Sequence, residues 1–207
     1  MIIIARYKED ISWTQELTVP FIIYNKGPDE IPNSIKIPNN AAKEADTYLT
    51  HIITNYDKLE GDLYFLQGNP FDHMERSIVG LESDGINTSK SNKADIIHFL
   101  NHFTVLEDFM HLCPIYSSFI ENNKGNNQLD GIQLFIDNIF IEPPKLKNNF
   151  YYFTQGAQFV VSAKRIKEKP LEFYIKLYSN INNIKPIGIG AHIMERLWMY
   201  IFSSKTK

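Results

Sequence analysis

Three groups of residues in this 207-residue chain have types and spacings that chemistry uses, and each also has an ordinary structural reading. The first is Glu195, beside Arg196 in an otherwise apolar run of Ile193, Met194, Leu197, Trp198, Ile201 and Phe202. A carboxylate in partly apolar surroundings is a better proton acceptor, which suits a base that takes a proton from an alcohol. The alternative is a helix-surface glutamate paired with a nearby cation. The second group is the run Gln67, Gly68, Asn69, Pro70, Phe71, Asp72, His73, which concentrates polar side chains and turn formers just beyond a buried strand. Such an edge recognises hydroxyls: Asp72 would hold a sugar hydroxyl or a metal, and His73 would exchange a proton near neutrality. Equally, Asp72 would cap the helix that follows. The third group is basic. Arg6 and Lys8 follow one apolar run, and Lys26 with Gly27 follows the next, so a crossover unit would bring them to one strand-end crevice where they would neutralise a diphosphate. Otherwise they are solvated cations at loop ends, in a field that Glu9 and Asp10 dilute.

Other chemistries find less support. His98 and His102 have the spacing to share a helix face, with Asp95 one turn before, as zinc ligands would; no metalloprotease glutamate or third ligand accompanies them, and a solvated or core-edge face is the competing reading. The sequence has no Walker phosphate loop, no dinucleotide glycine fingerprint and no paired CxxC signature. A formal charge of -3 exerts no general pull on nucleic acid. The lone cysteine, Cys113, has no partner for an intrachain disulfide and reads as a buried small side chain of a reducing compartment, so a cytoplasmic location is expected.

The elements that must position these groups follow from hydrophobic patterning. Ile2 to Ala5, Phe21 to Tyr24 and Leu63 to Leu66 are continuous apolar runs, as in strands covered on both faces of a parallel sheet. Met1 to Ala5 is cut short by Arg6, far from the length of a signal peptide or membrane span, and peripheral contact is the only membrane association expected. Ile11 to Leu17 reads as a short helix. Ala45, Tyr48, Leu49, Ile52, Ile53 and Tyr56 form one apolar stripe and predict a helix over about 41–57. The stretch Ala94 to Leu112 contains a further helix carrying Ile96, Ile97, Leu100 and Phe103. Gly156 to Ser162 predicts a strand, Pro170 opens a helix, and Ile193 to Phe202 forms the last amphipathic helix. Length and a 43% hydrophobic content fit one domain over 1–207, with 80–149 as an irregular insertion or lid. The fold class expected is α/β.

Several stretches together resemble a widespread family of undefined function found in fungi, bacteria and viruses. They are Ile4 to Trp13, Tyr24-Asn25-Lys26-Gly27, Tyr48 to Tyr56, Phe65 to His73, Gly156-Ala157-Gln158-Phe159 and Glu195-Arg196-Leu197-Trp198. More distantly, Gly156 to Ser162 followed by Glu195 to Trp198 is similar to the C-terminal motif pair of the mucin-type branching N-acetylglucosaminyltransferases. That resemblance implies a GT-A-like α/β/α sandwich and an inverting, metal-independent glycosyltransferase, in which Glu195 is the general base. It implies a nucleotide-sugar donor and a carbohydrate acceptor as partners and no cofactor, manganese included, in keeping with the lack of an Asp-x-Asp motif after Leu66. The later basic residues of those enzymes have no counterpart, and Arg6, Lys8, Lys26, Arg165 and Arg196 are expected in their place. Tyr7, Asn25 and Gly27 complete the expected donor site, while Gln67, Gly68, Asn69, Asp72, His73 and Gln158 form the acceptor site. A carbohydrate-binding or scaffold protein that keeps the fold without catalysis is the alternative, and a metal-dependent hydrolase built on Asp72, His73 and the histidine pair is a third.

Overall fold

The computed structural model describes residues 1–38, 40–74, 93–102, 104, 107–113, 115–119, 139, 150–154, 156–184 and 187–203. Its strands are β1 (Ile2–Arg6), β2 (Phe21–Asn25), β3 (Ile35–Lys36), β4 (Asp62–Gln67), β5 (Phe109–His111), β6 (Ile115–Phe119), β7 (Phe150–Thr154) and β8 (Phe159–Ser162). Its α-helices are α1 (Glu44–Asn55), α2 (Phe71–Met74), α3 (Lys93–His102), α4 (Ala163–Lys167), α5 (Leu171–Asn183) and α6 (Ile189–Phe202), with 3-10 turns at Ser12–Glu16 and Tyr56–Lys58. The fold is mixed α/β. A six-stranded sheet has the order β3-β2-β1-β4-β8-β5, and β6 pairs with β7 in a separate antiparallel ribbon. β1, β2, β3 and β4 run parallel, β8 runs antiparallel to β4, and β5 antiparallel to β8.

The apolar runs form strands because both sheet faces are covered. Ile3, Ala5, Phe65 and Phe159 point to one side, where Tyr48, Leu49, Ile52 and Trp198 of α1 and α6 cover them together with α5. Ile2, Ile4, Leu66 and Val160 alternate to the other side, against Trp13, Met74, Ile96 and Leu100. Aromatic rings knit the first layer: Phe159 lies 5.1 Å from both Phe65 and Trp198. The expected insertion therefore contributes to the core, since α3 and β5 both fall within 80–149. The helix of that stretch ends at His102, and Phe109–His111 is an edge strand instead, because its partner β8 offers an unpaired side. Phe103, expected on the same helix, lies outside the described residues.

After β3 the chain crosses to the far side of β1 to form β4, so the strand order reverses between β1 and β4. In open α/β sheets the crevice outside the carboxyl ends at such a reversal is where ligands bind. Here it is framed by the ends of β1, β2 and β4, and β8 begins at the same end because it runs the other way.

The loops after β1 and β2 are locked together by an ionic knot in which Arg6 is buried and Asp29 is exposed. Arg6 donates from Nη1 and Nη2 to the two carboxylate oxygens of Asp29, at 3.0 and 2.6 Å, from Nη1 to Asn25 Oδ1 at 3.0 Å, and from Nε to the Glu9 carbonyl at 3.0 Å. Asn25 Oδ1 also accepts the Gly27 N–H, and its Nδ2 donates to the Asp29 carbonyl. A Cβ on Gly27 would lie 1.7 Å from the Tyr7 carbonyl oxygen, so only glycine lets the two loops touch. Removing the guanidinium takes away the donor to the Glu9 carbonyl and one of the two donors to Asn25 Oδ1. Arg6→Ala is expected to lose roughly 1.5–3 kcal/mol of stability with its charge-assisted hydrogen bonds, read as a fall in the denaturant midpoint; an unchanged midpoint would mean the knot does not hold the loops.

Candidate functional site

The site is best built outward from Glu195. α6 begins after Gly188, whose left-handed φ of 97° turns the chain and whose N–H donates to the Ala41 carbonyl ahead of α1. One buried stripe of α6, including Ile193, Met194, Leu197 and Trp198, packs into the core and leaves Glu195 at its margin, 17% exposed. Its Oε1 accepts the Gly156 N–H at 3.1 Å. Its Oε2 is ion-paired with Arg196 Nη1 and faces His192 Nδ1, each at 3.6 Å, distances longer than a hydrogen bond. Arg196 donates to the His192 carbonyl and stacks its guanidinium 4.6 Å from the Phe153 ring. Gly156 leads into β8, so the last helix delivers its carboxylate to the crevice end of the sheet.

Gly156 is confined on two counts. Its φ of 85° is left-handed, and a Cβ there would lie 2.7 Å from His73 Cδ2. His73 thus packs directly on the residue that holds Glu195, and the acceptor-side run joins the candidate base. The rest of that run is more structural than expected. Asn69 Oδ1 accepts the Phe71 N–H and its Nδ2 donates to Asp72 Oδ2, so Asn69 rather than Asp72 starts α2. Gly68 gives its carbonyl to Trp13 Nε1 at 2.9 Å, and the Glu9 side chain packs against it. Gln158 is fully buried: Oε1 accepts the Gln67 N–H, while Nε2 donates to the Pro70 carbonyl and to Cys113 Sγ. It is a brace under the crevice and offers no exposed group to an acceptor. Burial pushes the Cys113 thiol up to about 12, so it stays neutral.

Of the expected donor residues, the structure brings together some and separates others. Arg6, Asn25 and Gly27 belong to the knot. Tyr7 and Lys8 are exposed at the crevice, with Lys8 Nζ 5.2 Å from the Tyr7 ring. Lys26 is partly buried, and its Nζ donates to the Lys43 carbonyl at 2.6 Å. Arg165 stands apart. It follows Ser162, the end of β8 remote from the crevice, and pairs there with Asp108 and Glu168. The antiparallel run of β8, invisible in a single apolar stretch, is the reason.

Sequence patterning missed Glu44, the most perturbed acid of the site. It opens α1, is only 8% exposed, and has Lys26, Lys43 and Glu195 in electrostatic range. Burial pushes its carboxyl up to about 7, and the Glu195 charge adds to the rise, while its own backbone N–H and both lysines pull it down. Burial lowers Lys26, against the charges of Glu44, Asp46 and Glu9. A signal existed: Glu44, Tyr48 and Ile52 are spaced by four, so Glu44 extends the buried stripe of α1. Lys43, just before it, adopts φ 48° and ψ -127°, a conformation suited to glycine. Ala157, after Gly156, also has a positive φ, of 49°. Backbone strain thus borders both carboxylates.

No group of three or more His, Cys, Asp or Glu side chains that could hold a metal occurs among the described residues. His98 and His102 stack with ring centroids 4.3 Å apart on the exposed side of α3, and His102 Nδ1 pairs with the His98 carbonyl. No described helix is long and apolar enough to cross a membrane. Over residues 1–207 the chain matches the model of a family described as a protein of unknown function, DUF3431. No curated protein and no solved structure matches it.

Folding raises the proton affinity of Glu44, so its stabilising contribution is complete below the ordinary value of 4.5 and is lost as pH rises through about 7. Glu44→Gln removes that loss. The variant is expected to gain on the order of 2 kcal/mol over the wild type at about pH 8, and the gain should shrink toward about pH 5. Denaturant melts of both proteins at the two pH values check this; parallel curves would show that Glu44 titrates normally.

Proposed function

The chain belongs to the DUF3431 family of proteins of unknown function, and we propose that it is a glycosyltransferase that moves a sugar from a nucleotide-sugar donor to a carbohydrate acceptor with inversion and without a metal. The observation that carries this reading is the setting of Glu195: one carboxylate oxygen is anchored on Gly156 and the other lies 3.6 Å from Arg196 and His192, at the same end of the sheet as Lys26.

In the proposed reaction an acceptor hydroxyl attacks the anomeric carbon in line. The new C–O bond forms as the bond to the donor's phosphate oxygen breaks, the hydroxyl proton passes to Glu195 Oε2, and the electron pair leaves on the nucleoside diphosphate. Lys26, Lys43 and Lys8 offset the charge that develops there. His73 and His192 flank the acceptor side of the carboxylate. Gln158 and the Arg6 knot act through the backbone, by holding the strand ends and their loops in place. The GT-A class of the sheet belongs to this proposal; its supports are the four parallel strands, the reversal at β1 and β4, and the antiparallel β8 beside them.

Glu195→Gln keeps the shape and the Gly156 contact but removes the base. It is expected to bind donor within about twofold of the wild type while losing turnover by about 10²–10⁴-fold, measured as release of nucleoside diphosphate across a panel of nucleotide sugars and glycan acceptors. Near-normal turnover in the variant would refute the assignment of the base. Saturable glycan binding with no affinity for any nucleotide sugar would favour the non-catalytic carbohydrate-binding alternative.

A further inference from the structure

We propose that Glu44 is the proton-coupled gate of the anion site: it holds a proton while a nucleoside diphosphate rests against Lys26 and Lys43, and releases it when the diphosphate departs, so that donor binding takes up a proton. This rests on the reading of the crevice as a donor site.

The geometry behind it is a buried carboxyl carried on a backbone turn fixed from both sides. Glu44 lies in the first turn of α1, buried, with Lys43 held in its strained conformation before it. The strain persists because neighbours fix that turn from both sides: Lys26 Nζ bonds the Lys43 carbonyl at 2.6 Å, and Asp46 Oδ2 accepts the Ala42 N–H at 2.8 Å. Strain of this kind is kept where a group must be pre-set for a ligand. The charged groups around Glu44 are Lys26 from the end of β2, Lys43 on its own chain, and Glu195 from α6. Asp46 and Glu9 add their charge at Lys26, and the Tyr48 hydroxyl one turn along α1 stays neutral because burial raises it far above its ordinary range.

The charge arithmetic then favours coupling. With Glu44 ionised, a diphosphate entering beside Lys26 and Lys43 meets a buried negative charge in low dielectric. With Glu44 protonated, Lys26 is uncompensated from that side and attracts the anion. Linkage makes the effect reciprocal: the anion raises the proton affinity of Glu44 as much as the proton raises the affinity for the anion. Glu195 need not change its protonation for this to operate, which separates binding from the proton transfer of catalysis.

The test is calorimetric binding of UDP-, GDP- and dTDP-sugars, whose esterified diphosphates carry no proton that titrates near neutrality, in buffers of different ionisation enthalpy. The wild type is expected to take up about half a proton at about pH 7 and to bind about tenfold more tightly at about pH 6 than at about pH 8. Glu44→Gln should bind at every pH with the tighter affinity and take up none. Tight wild-type binding without proton uptake, or uptake that survives in Glu44→Gln, would overturn the gate and leave the donor reading standing. Binding of none of these sugars by either protein would overturn both. The wild-type buffer dependence decides the matter alone if the variant does not fold.

Discussion

The hydrogen bond from the Gly156 N–H to Glu195 ties the last helix to the crevice end of the sheet. Glu195 lies on the last helix, with Arg196 and His192 beside it; its Oε1 meets the Gly156 N–H, and Gly156 leads into the strand that pairs with β4. The bond forms because Gly156 can turn through a left-handed φ and because His73 fills the space a side chain there would need. Around it the structure tolerates two positive-φ residues that are not glycine, Lys43 and Ala157, one beside each carboxylate. Conformational cost placed at these points is repaid by the aromatic layer of Phe65, Phe159, Tyr48 and Trp198 beneath.

The crevice is acidic as well as basic, and that mixture shapes what it can hold. Glu9 turns back to accept the Tyr7 and Lys8 N–H groups, so part of its charge stabilises the loop after β1. Arg6 is engaged by Asp29, Asn25 and backbone carbonyls. Among the described residues Lys8, Lys26 and Lys43 line the strand ends, with Glu44 beside Lys43 and Glu195 beside Arg196. A site balanced in this way responds to one proton more sharply than a uniformly basic one, because each charge in a poorly solvated crevice is felt at short range.

The central strands and the helices α1 and α6 were legible in the sequence because uninterrupted Ile, Leu and Phe runs and three-to-four spacing report burial directly. The edges were not. β3 has two residues, and β5 has three that pair only with β8; neither is long enough to show a period. Direction is equally hidden, since Phe159-Val160-Val161 reads the same parallel or antiparallel, so the sequence does not show that Arg165 stands at the end of β8 remote from the crevice. Glu195 was legible through its contrast with apolar neighbours. Glu44 was not, because at the start of a helix an acidic residue is expected for its dipole and draws no notice; only the packing of α1 against the sheet shows that this one is buried. Gln158 and Asn25 looked like ligand groups since polar residues at strand ends often are, but each had enough backbone partners nearby to be satisfied internally.

The most direct measurement is a crystal structure of the protein soaked with UDP, GDP or dTDP. The account predicts diphosphate density outside the carboxyl ends of β1 and β4, with Lys26 Nζ turned from the Lys43 carbonyl toward a phosphate oxygen and Glu195 Oε2 open to the space beyond. Density bound on another face of the sheet, or a crevice left empty by all three nucleotides at saturating concentration, would contradict it.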